Sequence, residues 1–122
     1  MADHRRERVE HLLRAELASL LLREARDPRL AAVAISAVRM TADLREARVF
    51  FRLMSDVADV ATAERALGRA AAFLRTAAGR ALGLRVTPTL RFEYDTTPDT
   101  ARRVDELLRD AGTGGDDEDE PT

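Results

Sequence analysis

"RLAAVAISAVRMTADLREARVFFRLM", residues 29–54, reads as two β-prone runs, 29–40 and 44–54, joined by the polar "TAD" at 41–43. Enrichment in Val, Ile and Phe on both sides of a short polar joint is the pattern of a hairpin. In the second run Val49, Phe51 and Leu53 alternate with Arg48, Phe50 and Arg52. Side chains alternate across a strand, so one face is expected on a core and the other partly in water. A half-wet sheet needs helices on its buried face, and the flanking sequence supplies them.

Upstream, Val9, Leu12, Leu13, Leu17, Leu20 and Leu21 recur at helical spacing between His4 and Ala25, and Asp27-Pro28 ends the pattern. Downstream, a second helical region begins near Asp59 to Thr62 and runs to about Leu84, too long to be assumed straight. "TPTLRFEYD" (87–95) then alternates Leu90, Phe92 and Tyr94 with Arg91, Glu93 and Asp95, which predicts a third strand. Thr97-Pro98-Asp99 has the form of a helix start, and Ala101, Val104, Leu107 and Leu108 give a last helix its apolar face up to Gly112. Helix, two strands, a long or split helix, a strand and a helix make an α+β domain of two layers over residues 1–111. The acidic remainder, 112–122, is expected to be disordered.

At 122 residues the chain holds one core. It has no Cys, which excludes a disulfide framework and thiolate metal sites and suits a reducing cytoplasm. No apolar run reaches bilayer length and no leader pattern opens the chain, so a soluble, cytoplasmic protein is expected. The net charge of −2 hides an asymmetry. "GTGGDDEDEPT" carries five of the 22 acidic groups, leaving the body with 20 basic against 17 acidic residues, or +3. A mildly basic body suits a polyanionic partner. All twenty basic residues are Arg. GC-rich coding inflates Arg, Ala and Gly together and explains that bias, so Arg identity is not read as RNA selection.

"RAAAFLRTAAGRALGLR" (69–85) is the most informative surface. Stepping 100° per residue from Arg69 places Leu67, Ala70, Phe73, Leu74, Ala77, Ala81 and Leu84 on one face, expected to be buried. Gly68, Ala72, Thr76, Gly79 and Gly83 form an opposite ridge almost without side chains. Arg75 flanks it on one side, Arg69 and Arg80 on the other. Such a ridge admits a ribose-phosphate backbone while guanidinium groups close from the sides. It would equally receive a neighbouring helix such as 98–110, and a bend is a third use for its glycines. Arg5, Arg6, Arg8 and Arg14 on the first helix are a secondary basic surface, interrupted by Glu7 and Glu10.

Other chemistry finds no support. His4 and His11 lack companion ligands for a metal, Ser19, Ser36 and Ser55 lack a His partner by motif, and Asp95 and Asp99 fit turn and capping roles. With no Lys there is no Gly-Lys-Ser/Thr phosphate loop. Gly112 to Gly115 is a Gly-x-x-Gly run, but the following "DDEDE" would repel a phosphate.

"REARDPRL" (23–30), "ADLREARVFF" (42–51), "RAAAFLR" (69–75) and "LGLRVTPTLRFEYD" (82–95), in this order, resemble the ribosome-binding factor A family, bacterial assembly factors of the small ribosomal subunit. The likeness spans roughly residues 5 to 108. It implies a single KH-like domain of type II order, α-β-β-α-α-β, followed by a C-terminal helix. In place of a Gly-x-x-Gly loop such proteins have a kinked helix pair with an Ala-x-Gly bend. Matching that motif puts the bend at Ala70, Ala71 and Ala72, with Ala72 standing where the family has Gly; two helix segments are expected here too. The resemblance further implies a non-catalytic factor that binds the 30S subunit, assists late maturation of 16S rRNA and serves growth in the cold. A monomer without cofactor, metal, membrane or small-molecule substrate is expected. RNA contact is assigned to Arg69, Ala72, Arg75, Thr76, Gly79, Arg80, Gly83 and Arg85. The competing reading is a protein-interaction module that docks a ribosomal protein or enzyme through the Arg-flanked helix.

Overall fold

The computed structural model describes residues 4–23, 27–54 and 59–97. Helix α1 spans Arg5–Arg23, strand β1 Val33–Met40, β2 Glu46–Leu53, helix α2 Val60–Leu82 and β3 Thr89–Tyr94, in an α+β arrangement. The expected C-terminal helix and acidic tail lie outside the described residues.

The hairpin forms as its sequence predicts, with shorter strands. Pro28 sets the first position of a short 3-10 turn over Pro28–Leu30, whose cap, Asp27, accepts the Arg29 amide, so β1 starts only at Val33. β1 and β2 pair antiparallel from Val33↔Leu53 to Met40↔Ala47, with a bulge between Ile35 and Ala37. Ser36 sits at the bulge and donates its hydroxyl to Asp95 Oδ2 (2.6 Å), with the Phe50 carbonyl 3.2 Å away. That contact ties the bulge to the end of β3. The joint closes through the Thr41 amide on the Glu46 carbonyl (2.9 Å), and Leu44 takes a left-handed φ of 62°. Holding a Leu there is unfavourable, and its half-buried side chain, packed on the core, is what offsets the strain.

β3 adds to the other side of β2, in parallel, giving the order β1-β2-β3. Both helices cover one face. Leu13, Leu17, Leu20 and Leu21 of α1 meet Val33, Val38, Ala47, Val49 and Phe51 of the sheet and Ala63, Leu67 and Leu74 of α2. Phe51 is fully buried and stands edge-on to Tyr94, with ring centres 5.7 Å apart. Burial of each large apolar side chain contributes roughly 1.5–3 kcal/mol. Glu10 ties α1 to the sheet by accepting the amide of buried Met40 at 2.8 Å.

Helix α2 corrects two expectations. It is one uninterrupted helix through 70–72 rather than two segments. Ala72 supplies the full helix preference that the family's Gly lacks, and no residue there removes a backbone hydrogen bond. Its buried face is also rotated. Phe73 is 48% exposed and Ala81 is exposed, whereas Ala63, Ala66, Ala78 and Gly79 are buried with Leu67 and Leu74. Leu12 of α1, likewise expected inside, is 45% exposed at the margin of its stripe. α2 starts at Asp59, which accepts the Thr62 amide (3.1 Å) and hydroxyl (2.8 Å) and whose carboxyl those bonds hold below its ordinary pKa. It stops at Gly83, in the left-handed conformation, with the Gly83 amide on the Arg80 carbonyl and the Leu84 amide on that of Gly79.

Candidate nucleic-acid interface

The outer half of the predicted ridge is open. Gly68, Ala72 and Thr76 are exposed, and nothing within 4 Å would meet a methyl group at Gly68. At Gly79 the ridge is closed by the chain itself. A Cβ on Gly79 would lie 2.5 Å from Thr87 Oγ1 and 2.8 Å from Thr87 Cγ2, so the glycine is there to receive the returning segment 84–88. Gly79 is buried and unable to touch RNA, which corrects its assignment. Gly83 is exposed as the helix stop.

The flanking arginines divide in the same way. Arg75 donates through Nε to the Pro88 carbonyl (3.0 Å) and through Nη2 to the Thr87 carbonyl (2.9 Å), clamping that segment against α2. Arg69 lies 3.8 Å from Asp27 Oδ2, a carboxylate already bound by Arg29 with two contacts of 2.8 Å. The side-chain and backbone hydrogen bonds from Arg29 lower the Asp27 pKa to about 2. Arg80 and Arg85 are exposed and make no hydrogen bond or ion pair among the described residues.

Folding then brings together what the sequence separates. Arg85 and Arg5 border one small pocket, with Asp43 and Leu44 of the hairpin joint beside them. Arg45 follows Leu44 in that joint, and its carbonyl accepts the Thr89 amide at 2.9 Å. Arg6 and Arg8 lie in the opening turns of α1 next to Arg5, and Arg80 occupies the last turn of α2. The start of α1, the end of α2 and the hairpin joint thus form one pole. Arg6, Arg8, Arg45, Arg80 and Arg85 are all exposed there, with no ion pair among the described residues. Arg14 is exposed farther along α1. Of the local carboxylates, Glu7 lies 3.1 Å from His4 Nδ1, Glu10 holds the Met40 amide, and Asp43 accepts the Thr41 hydroxyl and the Arg45 amide through Oδ1. Arg45 was missed as a candidate, since only the turn geometry brings it beside the two helix ends.

The outward face of the sheet is different. The strand register sets Arg39, Arg48 and Arg91 in one row. Arg48 grips Glu93 with two bonds of 2.8 Å and lies 5.1 Å from the centre of the Phe50 ring; Arg91 reaches Glu46 at 3.4 Å. The hydrogen bonds from Arg48 hold Glu93 below the usual carboxylate range. Arg48 and Arg91 are thus paired with carboxylates, whereas Arg39 bonds the Val38 carbonyl (3.2 Å); at the pole, Arg6, Arg8, Arg45, Arg80 and Arg85 offer five guanidinium groups without an ion pair among the described residues. No helix among the described residues is long and apolar enough to cross a membrane.

Residues 5–108 match the family described as Ribosome-binding factor A. Ribosome-binding factor A of Trichlorobacter lovleyi is 37% identical over 116 residues, covering 95% of this chain and 94% of the relative. The crystal structure of ribosome-binding factor A from Thermus thermophilus superposes with a TM-score of 0.65 at 29% identity, over 73% of this chain and 94% of that one. Coordinates of the Thermus thermophilus factor fitted into a cryo-EM map of a 30S complex give 0.63 at 30% identity, over 74% and 96%. On this sequence match, with the fold in agreement, the chain belongs to the ribosome-binding factor A family.

Proposed function

We propose that this chain is a non-catalytic, KH-like assembly factor that binds the 30S subunit in the cytoplasm as a monomer and assists late maturation of 16S rRNA. The observation that carries this reading is the similarity to a factor whose coordinates were fitted into a 30S complex. The pole supplies the physical means. The guanidinium groups of Arg6, Arg8, Arg45, Arg80 and Arg85, without an ion pair among the described residues, suit bidentate binding of phosphate, and they come from three elements that only the folded chain assembles. A factor of this kind favours one RNA arrangement by binding it more tightly than the alternatives.

The test is cosedimentation with separated 30S, 50S and joined particles across a salt series. Arg80→Glu combined with Arg85→Glu is expected to abolish 30S binding and leave the melting temperature nearly unchanged. Arg75 is unsuitable, because reversing it would also release the 84–88 segment. Log affinity should fall with log salt by about 0.7 to 0.9 per phosphate neutralised. Salt-insensitive binding would favour docking on a ribosomal protein, and undiminished binding by the double variant would remove the pole from the interface.

A further inference from the structure

The pocket at the pole is a cavity of about 130 Å³, well below the roughly 300 Å³ at which sites for drug-sized molecules begin. One wall is Val9, Met40 and Leu44; the other is Leu84, Val86 and Pro88. Met40 and Pro88 are buried, whereas Val86 is 59% exposed at the mouth. The strained backbone of Leu44 directs a Leu into a position where glycine would fit without cost and would leave no wall. Two cations, Arg5 and Arg85, border this apolar slot. One carboxylate stands with them. Asp43 accepts the Thr41 hydroxyl (2.7 Å) and the Arg45 amide (3.1 Å), both on Oδ1, and Oδ2 has no hydrogen bond among the described residues. Those bonds hold the carboxyl ionised, so Oδ2 can only accept.

We infer that this pocket takes a single unpaired RNA base, with its phosphates on Arg5 and Arg85 and its amino edge turned to Asp43. Apolar walls suit a ring, and the flanking cations suit the charge on both sides of it. Cytosine, adenine and guanine each present an amino donor. Uracil has carbonyl oxygens where the others carry the amino group, and its single donor on that edge, N3–H, lies between two oxygens that a carboxylate repels, so it binds less well. This inference rests on the RNA-binding reading and adds to it a preference among bases that phosphate contacts alone do not give.

Fluorescence anisotropy with the full chain tests it, using single-stranded oligouridine of about nine nucleotides and the same strand with one central A, C or G. The amino-bearing strands should bind about five- to tenfold more tightly, the lower end of what one well-placed base contact contributes. Asp43→Asn, which keeps an oxygen for the turn bonds and adds a donor that uracil can use, should bring that ratio close to one. Val86→Ala should weaken the amino-bearing strands several-fold more than oligouridine. Equal binding of all four strands by the wild type, or an unchanged ratio in Asp43→Asn, overturns the pocket. If no strand binds while 30S cosedimentation persists, the pocket falls and the proposed function stands; if cosedimentation also fails, both fall.

Discussion

Replacing Gly79 by Ala sets two effects of similar size against each other, and the structure decides between them. In an open helix the change gains about 1 kcal/mol of helix preference. At Gly79 the new methyl would meet Thr87 Oγ1 at 2.5 Å, Cγ2 at 2.8 Å and Cβ at 3.2 Å. Thr87 is short and β-branched, so relief requires the 84–88 backbone to move, stretching both Arg75 bonds. Overpacking of this kind costs about 1–3 kcal/mol, so Gly79→Ala should be neutral to about 2 kcal/mol destabilising. Gly68→Ala, with nothing within 4 Å, should gain about 0.5–1 kcal/mol. The gap between the two variants is then about 0.5–3 kcal/mol, and each kcal/mol shifts the melting temperature of a domain this size by roughly 4–8 °C. Urea unfolding and calorimetry measure it, and Thr87→Ala in the Gly79→Ala background should recover most of the loss. If Gly79→Ala stabilises the protein as much as Gly68→Ala, the segment is not pressed against the glycine and the account of its burial is wrong.

Arg75→Ala removes two bonds to loop carbonyls and should cost about 1–2 kcal/mol after allowance for exposure, with 30S affinity falling as well because the loop carries Arg85. Glu10→Ala leaves the Met40 amide without its acceptor and should lower stability by about 1–3 kcal/mol in denaturant titration. The pKa of Asp27 is lowered on folding, so its contribution is complete above the ordinary value of 3.8 and is lost as pH falls through about 2. Asp27→Asn should remove that part of the acid dependence of unfolding, and an identical acid profile would show that the Arg29 contact is absent in solution. Deleting 113–122, which carries five acidic residues, should raise affinity for unrelated RNA at low salt; no change would dismiss the tail as a competitor for the basic pole.

The layers of the fold were legible because period is a strong signal. Val49 and Phe51 alternate with exposed or half-exposed neighbours and are wholly buried, and Leu13, Leu17, Leu20 and Leu21 keep helical spacing and share the core. What escaped was set by contacts distant in sequence. In an isolated α2, Gly79 would lie on the surface and Arg75 would be free. The return of 84–88 buries the first and engages the second. The bend expected over 70–72 came from a motif in which Ala72 replaces the decisive residue, and the helix follows the residue present. The pole was invisible in one dimension because Arg5, Leu44 and Arg85, which border one pocket, are about forty residues apart at each step and come together only through the packing of three elements.

The parallel pairing of β3 with β2 has a consequence for synthesis. β1 and β2 are joined by a short turn and can zip as soon as they leave the ribosome that makes them, whereas β3 is separated from β2 by all of α2. Closing that long loop is slow compared with hairpin formation. The nascent chain therefore carries an unfinished sheet, with one side of β2 bare, until Tyr94 has emerged. Arg85 and the segment clamped by Arg75 precede β3 directly, so the basic pole is completed in the same late step. A molecule interrupted before that point has a hairpin and a helix but no assembled surface with which to engage a subunit.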